Sequence, residues 1–458
     1  MISSNWETKK LNDICVNIST NKKRIKQKNY EENADLPVID QGDELIGGYT
    51  SKIKSKVDCS LPAIVFGDHT KAVKYINFDF APGADGIKVL EPKESIHPKY
   101  LFYLLKRMVF EIPDKGYARH FQYLNKESYP VPPLPTQHRI VEKIEELFSE
   151  LDNGVENLKK AQKQLNTYRQ AVLKDAFEGK LTAEWREQQT DLPTPEELLQ
   201  QIKAERKAHR QRELAEWEKE VEKWEKDGEP GRKPRKPTKL SKLDEDSISN
   251  NDGLPKGWFY IPFEQIGYWQ GGGTPSKRNE EFWENGTVAW VSPKDMKRKN
   301  ISETEDYITE NAIENSSAKW IKKGSILFVV RSGILRRILP VAVAKKDLTV
   351  NQDLQAFTSV TRTLPDYLYW YAFGNENAIR NSCAKDGTTV ESIDSSSLKA
   401  YPVPFCSIKE QRELVNEIES RLSVVDQLER TIKENLQKAE ALRQSILKKA
   451  FGGELVVR

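Results

Sequence analysis

Catalytic signatures are what this sequence most lacks. It has no GxxxxGK[ST] phosphate loop, no GxGxxG opening a helix after a strand, no HExxH, no GxSxG and no tetrapeptide of the NPPY type. Those absences remove the usual marks of nucleotide hydrolysis, dinucleotide binding, zinc proteolysis, acyl transfer and adenine methylation. GGGTPSKR (Gly271 to Arg278) looks like a phosphate cradle, but Lys277 lacks the preceding Gly and no apolar helix follows. Of five histidines only His69, in FGDHTK, sits beside a carboxylate in a loop-like context, where a plain polar role is the simpler one. Cys15, Cys59, Cys383 and Cys406 form no CxxC pair, so neither a disulfide framework nor a zinc site is expected. No apolar run approaches the about 20 residues of a membrane span, and MISSNWETKK lacks the apolar core of a signal peptide. A cytoplasmic chain follows, and binding is favoured over chemistry. Scattered carboxylates leave a divergent nuclease or methylase site open.

An excess of one charge is missing too. With 72 Lys and Arg against 69 Asp and Glu, the formal net charge is +3, which opposes a nonspecific coat on nucleic acid. Local basic groups remain at Lys294, Lys297, Arg298 and Lys299, and at Arg331, Arg336 and Arg337.

What is present is a duplication. RQAVLKDAFEGKL (Arg169 to Leu181) returns as RQSILKKAFGGEL (Arg443 to Leu455), and the displacement of 274 residues holds without a gap back to Gln137 and Gln411. Just upstream, YPVP at Tyr129 to Pro132 recurs at Tyr401 to Pro404, two residues further from the second helix than a strict repeat allows. Between the copies the sequences differ, which describes two similar supports carrying dissimilar loads.

At 458 residues there is room for two or three domains. Residues 1–136 read as mixed α/β, with strands in LPAIVFG and GIKVL and a buried helix at YLFYLLKRMVF. Residues 254–410 follow the same plan, with strands in VAWVS, SILFVV and LPVAVA and a helix at DYLYWYAF. Long helices fill 137–182 and 411–458, and 183–253 is a connector. Stepping alternately by three and four from Val141 gives Ile144, Phe148, Leu151, Val155, Leu158, Gln162, Leu165, Arg169, Val172 and Ala176. From Val415 the steps give Ile418, Leu422, Val425, Glu429, Ile432, Leu436, Ala439, Arg443, Ile446 and Ala450. Both are coiled-coil seams, with polar breaks at Gln162, Glu429 and the paired Arg169 and Arg443. At 1.5 Å per residue, about 40 residues make roughly 60 Å, more than a small domain's diameter, so each helix needs a partner and its duplicate is the obvious one. In the connector, Glu196 to Lys226 reads as a charged helix with a solvated face, and GEPGRKPRKPTKL (Gly228 to Leu240) as a flexible basic linker, with a nucleic-acid or partner contact as the alternative.

Five segments resemble the specificity subunit of Type I restriction-modification systems. They are the duplicated RQ[AS][VI]LKxAFxGxL helices, GKLTAEWREQQTDLPTPEELLQQIKAER after the first of them, and LPKGW at Leu254 to Trp258. The others are GGGTPSKRNEEFWENGTVAWVSPKDM, and LPVIDQGDELIGGYT with VFGDHTK in the first half. The resemblance implies an α+β fold: two mixed α/β target-recognition domains separated by two long helices that pair as an antiparallel coiled coil with pseudo-twofold symmetry. It implies a non-catalytic protein that reads a bipartite, asymmetric target in double-stranded DNA, with the coiled coil setting the spacer. Two methyltransferase subunits would dock on that coiled coil and restriction/translocase subunits would join through them. S-adenosylmethionine, ATP and Mg2+ would belong to those partners. The rival within the same sequence is a coiled-coil scaffold joining two protein-binding domains without DNA specificity.

Base readout needs donors and acceptors on loops that reach base edges. In the first domain the candidates are Gln41, Asp43, Tyr49, His69, Thr70 and Lys71. In the second they are Thr274, Ser276, Lys277, Arg278, Ser292, Lys294, Arg331 and Ser332. Flanking glycines would let backbone amides approach phosphates. Gln41, Asp43 and Thr274 suit turn organisation equally well, and Asp43 is the weakest, since a carboxylate repels phosphate unless aimed at cytosine.

Overall fold

The computed structural model describes residues 6–83, 86–112, 119–229, 233–249, 253–385 and 390–455. The chain forms two compact units, Met1–Lys163 with Glu429–Arg458, and Gln164–Leu428. Each unit therefore takes one mixed domain and a stretch of both long helices.

The first unit runs β1 (Glu7–Lys9), α1 (Leu11–Ile14), β2 (Cys15–Ile18), β3 (Leu36–Ile39), β4 (Gly48–Thr50), β5 (Ala63–Gly67), β6 (Val73–Ile76), β7 (Ala81–Pro82), β8 (Ile87–Pro92), α2 (Pro98–Glu111), α3 (Phe121–Lys126) and β9 (Tyr129–Val131) before entering α4 (Leu134–Phe177). One sheet has the order β2-β8-β5-β6, another β4-β3-β7 with β3 and β7 parallel, and β1 pairs with β9. β5 is buried along its whole length because both faces are covered. Alternation sends Ile64 and Phe66 into the core beneath α2, and Ala63 and Val65 into a second core shared with Ile39 and Phe80. α2 buries Tyr100, Leu101, Leu104, Leu105 and Met108 at helical spacing, with Pro98 in its first turn. It is one-sided rather than buried all round, since Phe110 is 59% exposed.

The second unit continues through α5 (Ala183–Glu187), α6 (Pro195–Lys226), β10 (Phe259–Pro262), α7 (Phe263–Ile266), β11 (Gly267–Gly271), β12 (Val288–Val291), β13 (Asn300–Ile301), β14 (Asp306–Ile308), α8 (Glu310–Glu314), β15 (Ile326–Val329), β16 (Val341–Ala344), β17 (Thr349–Val350), β18 (Leu354–Ser359), α9 (Pro365–Gly374), α10 (Glu376–Ser382), α11 (Ser395–Ala400), β19 (Pro402–Phe405) and α12 (Ile408–Phe451). Its sheets repeat the first unit's topology. β11-β18-β15-β16 corresponds to β2-β8-β5-β6, with β13 added parallel to β16 at the edge. β14-β12-β17 corresponds to β4-β3-β7, again with its parallel pair, and β10-β19 to β1-β9. Unlike α2, α9 buries an unbroken run from Tyr367 to Ala372.

α4 and α12 begin at Leu134 and Ile408, so the 274-residue displacement includes their first turns. In the first unit the end of α12 (Ile446, Leu447, Ala450, Phe451) packs with the start of α4 (Ile140, Val141, Ile144, Phe148). In the second, the end of α4 (Val172, Leu173, Ala176, Phe177) packs with the start of α12 (Leu414, Val415, Ile418, Leu422). The helices are an antiparallel pair. Gln162 departs from the expected seam: it is exposed, and Ala161 is the half-buried residue of that turn. A 3.6-residue helix drifts from a 3.5-residue repeat, and an amide has little to gain in an apolar seam.

The YPVP repeat proves to be out of structural register. Tyr100 Oη donates to the Pro130 carbonyl at 2.8 Å and Tyr367 Oη to the Pro404 carbonyl at 2.7 Å, so the true mate of Pro130 is Pro404, at the same 274-residue displacement. Backbone carbonyls are the acceptors, and any residue supplies one. Tyr129 is fully buried and donates to the Leu124 carbonyl, whereas Tyr401 is only half-buried.

The connector is docked more closely than its charge pattern implies. α6 starts at a Thr194–Glu197 capping box; it keeps a solvated face, while Leu198, Ile202 and Arg206 bury an opposing stripe that docks it on the core of the second unit. The Pro-rich segment is not free either: side chains of α6 hydrogen-bond the carbonyls of Pro234, Pro237 and Ser241. Residues 230–232 lie outside the described residues.

Candidate nucleic-acid interface

In the first unit, the parallel pairing of β3 with β7 and the β5-β6 turn bring three loops to one end of the sheets. Thr70 Oγ1 donates to the Gln41 carbonyl at 2.6 Å, and the His69 amide to Gln41 Oε1 at 3.4 Å. Lys71 closes the turn at φ +62°, its amide on the Gly67 carbonyl. Gly86, at φ +95°, completes the third loop; a Cβ there would lie 2.8 Å from both Gln41 Oε1 and His69 Cδ2. Gln41, His69, Thr70 and Lys71 are thus one cluster. Asp43 is exposed in the same loop as Gln41. Tyr49 stands apart on the edge strand β4, its backbone exchanging hydrogen bonds with Glu31.

Residues that no sequence pattern marks shape this cluster. Asp40 accepts the Gly42 amide at 2.9 Å and faces Lys74 Nζ at 3.7 Å. Lys74 is buried, which lowers its pKa, and it also donates to the Glu44 carbonyl at 2.5 Å. Asp68, buried, accepts the Phe121 amide at 2.8 Å and fastens the start of α3 to the β5-β6 turn.

In the second unit the loops after β11 and β15 converge on the Asn351-Gln352-Asp353 turn between β17 and β18. The loop after β15 and this turn correspond to the β5-β6 turn and the Gly86 loop, while the counterpart of the Gln41 loop follows β12. Thr274 Oγ1 donates to Gln352 Oε1, and Arg331 Nη2 pairs with Asp353 Oδ1 at 2.7 Å. The Asp353 amide donates to Asn351 Oδ1 at 3.0 Å, which stiffens the turn. Ser332 accepts the Ile334 amide at 3.4 Å and caps a short 3-10 turn. Thr274, Arg331 and Ser332 are therefore brought together, and only Gln352 and its neighbours were missing from the expectation.

The other candidates have local duties. Ser276 receives Asn279 N at 3.1 Å and Trp283 Nε1 at 3.2 Å on its carbonyl. Lys277 and Arg278 are exposed and form no ion pair among the described residues. Ser292 is buried, with its hydroxyl and amide donating to Asp295 at 2.9 and 2.8 Å. Lys294 pairs with Glu305 at 2.9 Å and Asp306 at 3.0 Å, and those hydrogen bonds, Glu305 first, push its pKa up. Its charge is locally neutralised, while Lys297 and Arg298 beside it border an open, polar cleft of about 270 Å³. The glycine run is a packing device here: Gly273 N donates to the Val350 carbonyl at 3.0 Å, and a Cβ on Gly272 would collide with that same oxygen. The expectation that these glycines free backbone amides for phosphate fails at Gly273.

Among the described residues no group of three or more His, Cys, Asp or Glu is placed to hold a metal ion, and no helix is long and apolar enough to cross a membrane.

A family model described as the Type I restriction modification DNA specificity domain matches residues 3–162 and 255–438. The EcoR124I/EcoR124II specificity subunit of Escherichia coli is 31% identical over 434 residues, covering 92% of this chain and 86% of its own. The MjaIX specificity subunit of Methanocaldococcus jannaschii is 33% identical over 167 residues, covering 35% and 37%. Among solved structures, the HsdS subunit from Thermoanaerobacter tengcongensis superposes with a TM-score of 0.52 at 17% identity, covering 99% of this chain and 98% of its own. A chain from a study of complex assembly and conformational transition of the type I R-M system reaches 0.64 at 17% identity, covering 99% of each. Those two likenesses concern the fold.

Proposed function

The chain belongs to the Type I restriction-modification DNA specificity family, and from that premise we propose that it reads a bipartite, asymmetric target in double-stranded DNA, one half-site per mixed domain. One observation carries this reading: a single topology presents a loop cluster in each unit, with the turns after β5 and β7 matched by those after β15 and β17, and builds the two clusters from unlike residues. Gln41, His69 and Thr70 occupy the first; Thr274, Gln352 and Arg331 occupy the second. Unlike side chains on like scaffolds should select unlike bases, so the two half-sites differ and the target is not a palindrome.

The antiparallel pair of α4 and α12 sets the number of unread base pairs and serves as the platform for two methyltransferase subunits, through which restriction/translocase subunits join. S-adenosylmethionine, ATP and Mg2+ are bound by those partners. This chain supplies recognition and no catalytic group, and it works in the cytoplasm. Mapping methylated adenines by long-read sequencing, in cells carrying the chain with its methyltransferase, tests the proposal. One two-part motif with a fixed gap is expected; a contiguous motif, or methylation independent of this chain, contradicts it.

A further inference from the structure

The connector forms an arm whose outer edge is a row of lysines. α6 lies against the edge strand β11, and two contacts set its direction. Arg206 Nη1 donates to the Gln265 carbonyl at 2.5 Å, and His209 stacks on Tyr268 with ring centroids 6.1 Å apart. Helix and strand therefore advance together, toward the end of the sheet that carries Thr274 and Gln352. From His209 to Lys226 the helix rises roughly 25 Å at 1.5 Å per residue. From Tyr268 to Thr274 the chain spans at most about 20 Å. The arm is long enough to reach the level of the reading loops.

The segment after the helix returns along it in extended form. Trp217 Nε1 donates to the Pro234 carbonyl at 3.0 Å, Arg210 Nη1 to that of Pro237 at 2.9 Å, and Arg206 Nη2 to that of Ser241. Pro234, Pro237, Leu240 and Leu243 are half-buried while 235, 236, 238, 239 and 242 are exposed; Ser241, held by Arg206 and Glu264, is half-buried off this period. A burial period of three is that of a polyproline II helix, which has three residues per turn and rises about 3.1 Å per residue. Lys233, Lys236, Lys239 and Lys242 share this period, and all are exposed. They form one ridge about 28 Å long, one lysine every 9 Å or so. From 233 to 243 no acidic residue interrupts it. Lys233 and Lys236 have their ammonium groups over Trp224 and Trp217, at 5.5 and 5.2 Å, and Lys233 meets exposed Glu225 at 3.6 Å. Lys239 and Lys242 form no ion pair among the described residues.

A ridge of point charges at even spacing, whose neighbouring Trp217 and Trp224 lie beneath lysine ammonium groups, suits a uniform polyanion rather than a shaped acidic protein surface. We propose that this lysine row tracks the phosphate backbone of duplex DNA outside the bases that the two domains read, adding affinity without adding sequence preference. The proposal rests on the DNA-recognition reading above.

The test uses the full chain assembled with its methyltransferase, and duplexes with and without the target, over a range of salt concentrations. Neutralising one lysine that pairs with a phosphate lowers the slope of log affinity against log salt by about 0.9. K239Q/K242Q, which disturbs neither tryptophan, should lower the slope by about two units. Changing all four lysines to Gln should lower it by up to about four. Affinity should fall by the same factor on both duplexes, and changing the lysines to Arg should restore it. Trimming the duplex to the target should erase the difference from the unmodified protein. An unchanged slope in a variant that still selects the target overturns the proposal, as does a variant that loses only its assembly with the methyltransferase. Failure of the unmodified complex to prefer the target would instead count against the recognition reading.

Discussion

Arg169 holds Asp426 at 2.7 Å across the two long helices, and Arg443 holds Asp152 in the same way. Adding the 274-residue displacement to Asp152 and Arg169 gives Asp426 and Arg443, so each pair is the other with its helices exchanged. That exchange is what a duplicated helix pairing antiparallel with its own copy must produce, and it fixes the register from both sides. The pair is partly exposed, with 19% of the Arg169 and 58% of the Asp426 side chain accessible, so its energy is modest. A double-mutant cycle on R169A and D426A, read by thermal unfolding, should give a coupling of about 0.5 kcal/mol that shrinks with salt. The reversed pair R169D/D426R should recover most of it.

The helix pair as spacer makes a sharper prediction. Heptads inserted after Lys160 in α4 and after Glu434 in α12 preserve the pairing register and lengthen the displacement of 274 residues uniformly by seven. Methylation mapping should then return the two original half-sites with an altered gap, or no methylation where the new gap cannot be bridged. A changed half-site would contradict the division of labour.

Reading should be separable by domain. Gln352→Ala removes the partner of Thr274 and a side chain at the centre of the second cluster. Selection from random duplexes should show relaxed preference at one position of one half-site, worth about 1–3 kcal/mol, with the other half unchanged. Gln41→Ala should do the converse.

The glycine run offers a contrast on stability. Gly272→Ala drives a methyl group into the Val350 carbonyl and should cost about 2 kcal/mol or more, whereas Gly271→Ala meets open space and should be close to neutral. Thermal melting of the two variants side by side decides this.

Asp394 caps α11 and accepts hydrogen bonds from Ser396 and Ser397, which depress its pKa to about 2. A depressed carboxyl contributes stability above its unfolded value, 3.8, and loses it as pH falls through about 2. Asp394→Asn should therefore lower the melting temperature at neutral pH and flatten its decline between roughly pH 4 and pH 2.

The supports were legible in the sequence because a helix writes itself locally. A gapless repeat and apolar steps of three and four need no knowledge of the partner. The strands AIVFG and ILFV were visible for the same reason, as apolar runs between turn residues. The second unit's loop cluster was half legible. Thr274 and Arg331 stood out beside glycines, but Gln352 joins Thr274 from 78 residues away, through the parallel pairing of β12 with β17. Parallel pairs are joined by long connections, so their loop neighbours leave no local trace. Lys294 looked available because its partners, Glu305 and Asp306, arrive on β14 and the loop before it. YPVP misled because the structure uses its carbonyls and not its letters. The proline-rich segment was rightly read as non-helical, but its captors, Arg206, Arg210 and Trp217, lie on a helix whose charge pattern suggested plain solvation.

The central claim is that two unlike reading heads share one fixed spacer. Selection of random duplexes by the chain assembled with its methyltransferase measures this directly. The account predicts two different conserved blocks separated by a single gap length in every selected molecule. One contiguous block, two identical blocks, or a gap that varies from molecule to molecule would contradict it.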